Sequence, residues 1–355
     1  MDGSIEITAR SADVKHLAAS EVGIPWSNSP VFERQLARVA ATEEQRALAR
    51  SFHQDGYLVL EDWIAPELCD RIVADSEGFY DPRAEYPDLP PQVVPLLTQG
   101  LEQAHSCRVQ DAWRVAEAVK ALACDPRILE LLQFLYQRAP IPFQTLNFPV
   151  GSEQATHADT IHFDSIPSMF MCGVWVALQD VGPDDGPVFY HPGSHKLPVV
   201  RMEQLGRLVQ RDGNGGVASG DNYDRYLEYV RFVERSLGTP ARRLEVKKGT
   251  ALIWSANLLH GGSRIDAPGN SRHSQVTHYF FEGCAYVSPI LSNMEVGEYF
   301  VRPVWDILRE KVHGQTIAGA AMDFDPGVGA LSRFPLPGSG AGGRAAGASP
   351  GSGGP

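Results

Sequence analysis

The chain has 355 residues, of which 43% are hydrophobic and 21% charged, an ordinary balance for a globular protein with a substantial core. Its formal charge of −12 argues against a nucleic-acid partner, because neutralising phosphates requires a basic surface, and it disfavours anionic membranes. The longest apolar run, Met169 to Leu178, spans ten residues and is too short to cross a bilayer.

Residues 1–30 show no clean periodicity and read as an arm or irregular cap. The opening Met1 to Glu6 lacks the basic-then-apolar pattern of a secretory signal. Helix-favouring residues dominate Glu33 to Gln54, and Thr42-Glu43-Glu44-Gln45 matches a capping box, so a second helix is expected to start there. Gly56 should end that helix ahead of a strand through Leu60. Pro66 opens a further helix to about Phe79, with Leu68, Ile72 and Val73 as its inward stripe. Prolines mark 81–100 as loop, and helices follow through 111–138, one of them started by Asp125-Pro126.

From Ile141 the character changes to short β-type runs, at Phe143–Phe148, Phe170–Leu178 and Val188–Tyr190, punctuated by Gly, Pro and Asp. β character returns at Leu244–Val246, Ala251–Trp254 and Ser274–Phe281. Helices first and evenly spaced strands afterwards predict a mainly β (α+β) fold, a double-sheet jelly roll with flanking N-terminal helices. An insertion at about 200–240 carries a glycine-rich hinge, 212–216, and an aromatic helix with Tyr223, Tyr226, Tyr229 and Phe232. It reads as an outer helix or as a lid. The expected organisation is an arm and helix over 1–45, one domain over 46–336, and a disordered Gly/Ala/Pro tail over 337–355.

Five cysteines, at 69, 107, 124, 172 and 284, are odd in number and include no Cys-x-x-Cys pair. They read as reduced thiols of a cytoplasmic protein rather than disulfides or a zinc cluster.

The chemistry is concentrated in two separated segments, Thr156-His157-Ala158-Asp159 and Leu258-Leu259-His260-Gly261-Gly262. Two imidazoles and one carboxylate are the ligand set that holds Fe(2+) on one face and leaves the other open. On an extended strand His157 and Asp159 would point the same way. However, His162-Phe163-Asp164 repeats the spacing five residues later and, being an odd step away, would face the opposite side. Spacing alone leaves both pairs open. Arg272, twelve residues beyond His260, is a plausible anchor for the carboxylate of 2-oxoglutarate, since a guanidinium grips a carboxylate with two parallel hydrogen bonds. Ser274 could add a hydroxyl from the same strand face, and Arg264 is the rival anchor. His195, in Pro192-Gly193-Ser194-His195, reads as a structural turn residue.

Taken together the residues resemble the phytanoyl-CoA dioxygenase-like family of iron(II)/2-oxoglutarate oxygenases, from about Phe52 to Pro289. The markers are Phe52 through Leu60, Gly151 through Asp159, Gly173 through Asp180, Gly186-Pro187 with Pro192 through His195, and Lys248-Gly249 through Ser263. The resemblance implies a double-stranded β-helix oxygenase domain with iron ligands His157, Asp159 and His260 and a cosubstrate anchor at Arg272. It adds Gln144 and Trp175 as lesser members of the cosubstrate pocket, and places His162 and Asp164 where they would contact substrate or support the site. The implied chemistry consumes 2-oxoglutarate and O2, releases succinate and carbon dioxide, and abstracts a substrate hydrogen. Asp159 stands where family halogenases have a small residue, so hydroxylation, cyclisation or desaturation is expected instead of halogenation.

The expected partner is a small polar molecule in a natural-product or glycoside tailoring step, with no nucleic acid and no membrane; oligomeric state is open. Competing readings are a ligand-binding jelly roll that has lost turnover, and an acyl-CoA or amino-acid hydroxylase. A dinucleotide-type pattern at 213–218 lacks a preceding strand, and a hydrolase-type elbow at 347–351 falls in the tail, so neither is adopted.

Overall fold

The computed structural model of the chain describes residues 23–81, 85–98, 108–210, 221–238, 240–267, 269–322 and 330–333. The hinge at 212–216, the tail at 337–355, most of the N-terminal arm and Cys107 lie outside them.

The N-terminal helices follow their capping chemistry. After the short α1 (Phe32–Leu36), α2 (Glu43–Asp55) starts at a complete capping box. Thr42 Oγ1 accepts from the Gln45 N–H at 3.2 Å, and Gln45 Oε1 accepts from the Thr42 N–H at 3.0 Å. Gly56 ends α2 at φ 80°, and a Cβ there would stand 2.3 Å from the His195 ring, so both backbone and space require glycine. Strand β1 (Tyr57–Leu60) and helix α3 (Pro66–Ser76) come next. Cys69 and Ile72 form the buried line of α3, while Leu68 and Val73 sit at its edges.

The 81–100 stretch is not all loop. A short helix α4 (Val94–Leu97) buries Leu97 completely, so packing outweighs the local proline content. Strand β2 (Val109–Gln110) leads to α5 (Glu117–Ala123) and α6 (Pro126–Tyr136). The Asp125 carboxylate caps α6, accepting from the Arg127 N–H at 2.9 Å.

The remaining strands are β3 (Pro140–Phe148), β4 (Asp164–Ile166), β5 (Met171–Ala177), β6 (Val188–Tyr190), β7 (Arg242–Arg243) and β8 (Ala251–Ser255). They continue with β9 (His260–Gly262), β10 (Ser274–Phe281), β11 (Ala285–Val287) and β12 (Glu298–Val301); helix α7 (Asn222–Ser236) lies between β6 and β7. A six-stranded antiparallel sheet runs β1-β8-β5-β10-β3-β2. A smaller antiparallel sheet, β7-β6-β9, carries His260, and a third joins β4, β11, β12 and the strand Ala330–Arg333. The expected strand at Leu244–Val246 falls two residues late. The pairing with β6 is made by Arg242 and Arg243, and Val246 forms only an isolated bridge to Val181.

Period-two alternation divides the large sheet between two cores. On β8, Ala251 and Ile253 face the main core shared with the helices, whereas Leu252 and Trp254 face a second core toward the small sheet. Trp26, Phe32 and Leu36 are buried in the main core. A third cluster packs Tyr226 and Val230 of α7 on Ala158, Ile161 and Leu259, so the helix covers the segments that flank the candidate ligands. Phe232 does not join it and is 70% exposed. Among the described residues no helix is long and apolar enough to cross a membrane.

Candidate iron centre and its cavity

His157 and Asp159 are not presented by a strand, contrary to the spacing argument. His157 forms an isolated antiparallel bridge with His260, each N–H donating to the other's carbonyl at 2.9 Å, and Asp159 opens a one-turn 3-10 helix, Asp159–Ile161. Strand parity therefore does not apply beyond Asp159. The turn brings His162 to the wall of the same cavity as His157. Asp164 goes elsewhere: it is fully buried, accepts from the Ser168 hydroxyl and the Met169 N–H at 2.8 Å, and pairs with Arg201 at 2.8 Å. Its carboxylate is engaged by these partners and is not in the cavity wall.

His157, Asp159 and His260 are all buried, and their ligand atoms lie within 4.8 Å of one another. Each imidazole is set by its own backbone: Nδ1 of His157 lies 2.9 Å from the Ala155 carbonyl and Nδ1 of His260 lies 2.9 Å from that of Leu258. With Nδ1–H donating there, Nε2 keeps its lone pair for a metal. The two Nε2 atoms stand 3.7 and 3.8 Å from Asp159 Oδ1. Burial and the neighbouring His260 push His157 down to about 3, which keeps it neutral. Burial opposes ionisation of Asp159, but His260, His278, His157 and the Trp254 N–H outweigh it and hold the carboxyl below its usual value. Two imidazoles with Nε2 turned toward a carboxylate form a donor set that fits a ferrous ion.

The cavity around these groups encloses about 340 Å³. Arg272 lies in its wall, 2% exposed, with Nη1 donating to the Gly186 carbonyl at 3.0 Å and Nε lacking a partner. Its guanidinium carbon stands 5.8 Å from the Trp175 ring centre, and Trp175 Nε1 is also buried without a partner. Burial lowers Arg272 to about 10, so it stays cationic at neutral pH. A buried cation with donors to spare fits the far carboxylate of 2-oxoglutarate. Gln144 is also in the wall, 3.0 Å from His278 Nδ1. Ser274 is buried with an unpartnered hydroxyl but does not line the cavity. Arg264, with a side chain 83% exposed and paired to Asp266, is not in the cavity wall. His195 is buried in its turn against the His53 carbonyl, away from the cavity.

Several residues of the site went unread in the sequence. Trp254 donates to Asp159 Oδ2 at 2.7 Å, His278 Nε2 lies 3.7 Å from the same oxygen, and Gln154 Nε2 lies 3.2 Å from His157 Nε2. Arg108 and Arg302 line the cavity as well. His278 was within reach of the parity argument, being four residues from Ser274 on the same strand face. The others come from segments that only the fold brings together.

A fold of packed antiparallel sheets holding two imidazoles and a carboxylate beside a buried arginine defines the class of iron(II)/2-oxoglutarate-dependent dioxygenases. The family model for phytanoyl-CoA dioxygenase (PhyH) matches residues 52–274, and the chain belongs to that family. It is 27% identical over 256 residues to ectoine dioxygenase of Sphingopyxis alaskensis, covering 67% of this chain and 72% of that protein. It is 23% identical over 273 residues to phytanoyl-CoA dioxygenase domain-containing protein 1 of Danio rerio, covering 64% and 87%. Among solved structures, EctD from S. alaskensis with bound Fe aligns at TM-score 0.49 and 20% identity, over 69% of this chain and 80% of that one.

Proposed function

We propose that this dioxygenase oxidises a small polar molecule, by hydroxylation or by oxidative cyclisation or desaturation, with His157, Asp159 and His260 as iron ligands and Arg272 as the 2-oxoglutarate anchor. The observation that carries the reading is the convergence of three buried ligand atoms on one wall of a cavity that also contains an unpaired arginine. When bound there, iron and 2-oxoglutarate supply oxygen activation coupled to decarboxylation of the cosubstrate.

The protein's own part is positioning. The backbone carbonyls of Ala155 and Leu258 fix the two rings, and Trp254 fixes the carboxylate. Arg272 orients the cosubstrate, with Trp175 and Gln144 beside it and Ser274 behind the wall. Asp159 fills the third ligand place, which favours oxygenation over halogenation. His162, whose ring centre is 5.2 Å from that of Tyr223, is the residue of the second His-x-Asp pair that faces substrate. In this reading the chain forms one double-stranded β-helix domain over about 46–336, and α7 belongs to a lid that keeps water from the cavity.

Polar side chains and a volume of about 340 Å³, part of which the cosubstrate must fill, favour a small polar substrate over a long acyl chain. Ectoine dioxygenase acts, by its name, on ectoine, a precedent for a small substrate. A natural-product or glycoside tailoring step is the specific role proposed.

The test is anaerobic iron titration followed by succinate release against a substrate panel. His157→Ala, Asp159→Ala and His260→Ala should each abolish iron-dependent 2-oxoglutarate turnover. Retention of turnover in all three would refute the ligand assignment.

A further inference from the structure

We propose that the substrate carries an anionic group, a carboxylate or a phosphate, which Arg108 and Arg302 bind together at the end of the cavity away from Arg272. The inference rests on the dioxygenase reading above and names the substrate class for that site.

The cavity wall is cationic although the chain is acidic. Arg108, Arg272 and Arg302 line it against one carboxylate, Asp159, among the described residues, in a chain of formal charge −12. The cosubstrate accounts for Arg272 alone. Arg302 donates from Nη1 to the Ser288 hydroxyl at 2.9 Å and lies 4.7 Å from the Phe163 ring centre. Asp111 is near enough to act on Arg302, but its carboxylate accepts from the Thr145 N–H at 3.1 Å and makes no ion pair with the arginine. Arg108 has a buried Nε without a partner and no ion pair among the described residues. Burial pushes both arginines down, Arg302 to about 10, so both remain cations at neutral pH.

Arg302 and Arg272 sit against different aromatic groups of the cavity: Phe163, 4.7 Å from Arg302, has its ring centre 5.2 Å from that of His278, whereas Arg272 lies 5.8 Å from that of Trp175. Arg108 and Arg302 both act electrostatically on His162 and on His278, whereas the charged group acting on Arg272 is Asp185. Neither the Arg108 nor the Arg302 guanidinium has an ion pair among the described residues, and each offers a donor fork suited to a carboxylate or phosphate. Phe163, stacked at its edge on Phe143 with ring centres 5.4 Å apart, gives an apolar wall beside Arg302 for the body of the molecule. An anion held there is within reach of the groups around His162, while 2-oxoglutarate keeps Arg272.

The experiment uses the full chain, anaerobic, with Fe(II) and saturating 2-oxoglutarate, and first records the charge-transfer band of the iron–cosubstrate complex. Absence of that band overturns the dioxygenase reading itself, independently of the anion site. Binding of matched probes, benzoate against benzamide and phenyl phosphate against phenol, is then measured by saturation-transfer NMR. One or both acids should bind at least about tenfold tighter than the neutral partner. Preference for benzoate identifies a carboxylate group and preference for phenyl phosphate a phosphate group. Arg108→Gln and Arg302→Gln should each remove that preference with the band intact, and Arg302→Lys should restore part of it. Equal retention of acid and neutral probes, no binding of either acid, or loss of acid binding only in Arg272→Gln would overturn the proposal.

Discussion

Trp254 donates its indole N–H to Asp159 Oδ2 across 2.7 Å, and the same ring passes over Gly173, its cross-strand partner on β5. A Cβ at Gly173 would stand 2.3 Å from the indole, so the absence of a side chain on one strand fixes the carboxylate orientation on another segment. Trp254→Phe keeps the ring and removes the donor. Iron affinity, measured by anaerobic titration, should fall about 10–100-fold, the usual effect of losing a partner of a metal ligand. Gly173→Ala should weaken iron binding in the same direction and cost about 1–3 kcal/mol of stability from overpacking. Normal iron affinity in both variants would show that Asp159 is held by other contacts.

Arg272 is nearly inaccessible and keeps unpaired donors. Arg272→Gln preserves polarity and removes the charge and the bidentate fork. The KM for 2-oxoglutarate should rise at least about tenfold, equivalent to ~1.4 kcal/mol, while iron binding in the absence of cosubstrate is unchanged. An unchanged KM would return the anchoring role to another residue.

Tyr226 ties α7 to the ligand segment, its hydroxyl accepting from the buried Ala158 N–H at 2.8 Å. Tyr226→Phe leaves that N–H without an acceptor and should cost about 1–3 kcal/mol, read as a lower urea midpoint at constant slope. Because Ala158 lies between two candidate ligands, the variant should also bind iron less tightly. A midpoint equal to that of the wild type would mean that water replaces the phenol.

His195 is buried beside Gly56, and burial pushes its pKa from the ordinary 6.5 down to about 4. The unfolded chain takes up this proton as pH falls below 6.5, while the folded protein resists until about pH 4. Stability from this group is therefore complete above pH 6.5 and is lost as pH falls from 6.5 to 4, by at most about 3 kcal/mol. His195→Gln should flatten the stability curve of the protein between pH 6.5 and 4, followed by chemical denaturation at each pH. A parallel curve for the two proteins would exclude His195 as a source of acid sensitivity.

The sequence by itself determined the reaction class. Ligand chemistry restricts which residues can hold ferrous iron, and the His-x-Asp, His and Arg set is visible as residue types in order. Local rules likewise determined the capping box at Thr42, the glycine at 56, the Asp125 cap and the extents of β6 and β10, because each depends on neighbours a few positions away. Only the tertiary structure shows which of the two His-x-Asp pairs is gathered with His260 into a group that could hold a metal. The 3-10 turn at Asp159, flanked by the Tyr226 contact to Ala158 and the His157–His260 bridge, cancels the strand parity on which spacing arguments depend. It sends His162 into the cavity and commits Asp164 to Arg201. The roles of Trp254, Arg108 and Arg302 belong to the same category: Trp254 reaches Asp159 from 95 residues away, and the two arginines join the cavity wall from separate segments, with no local pattern to mark them.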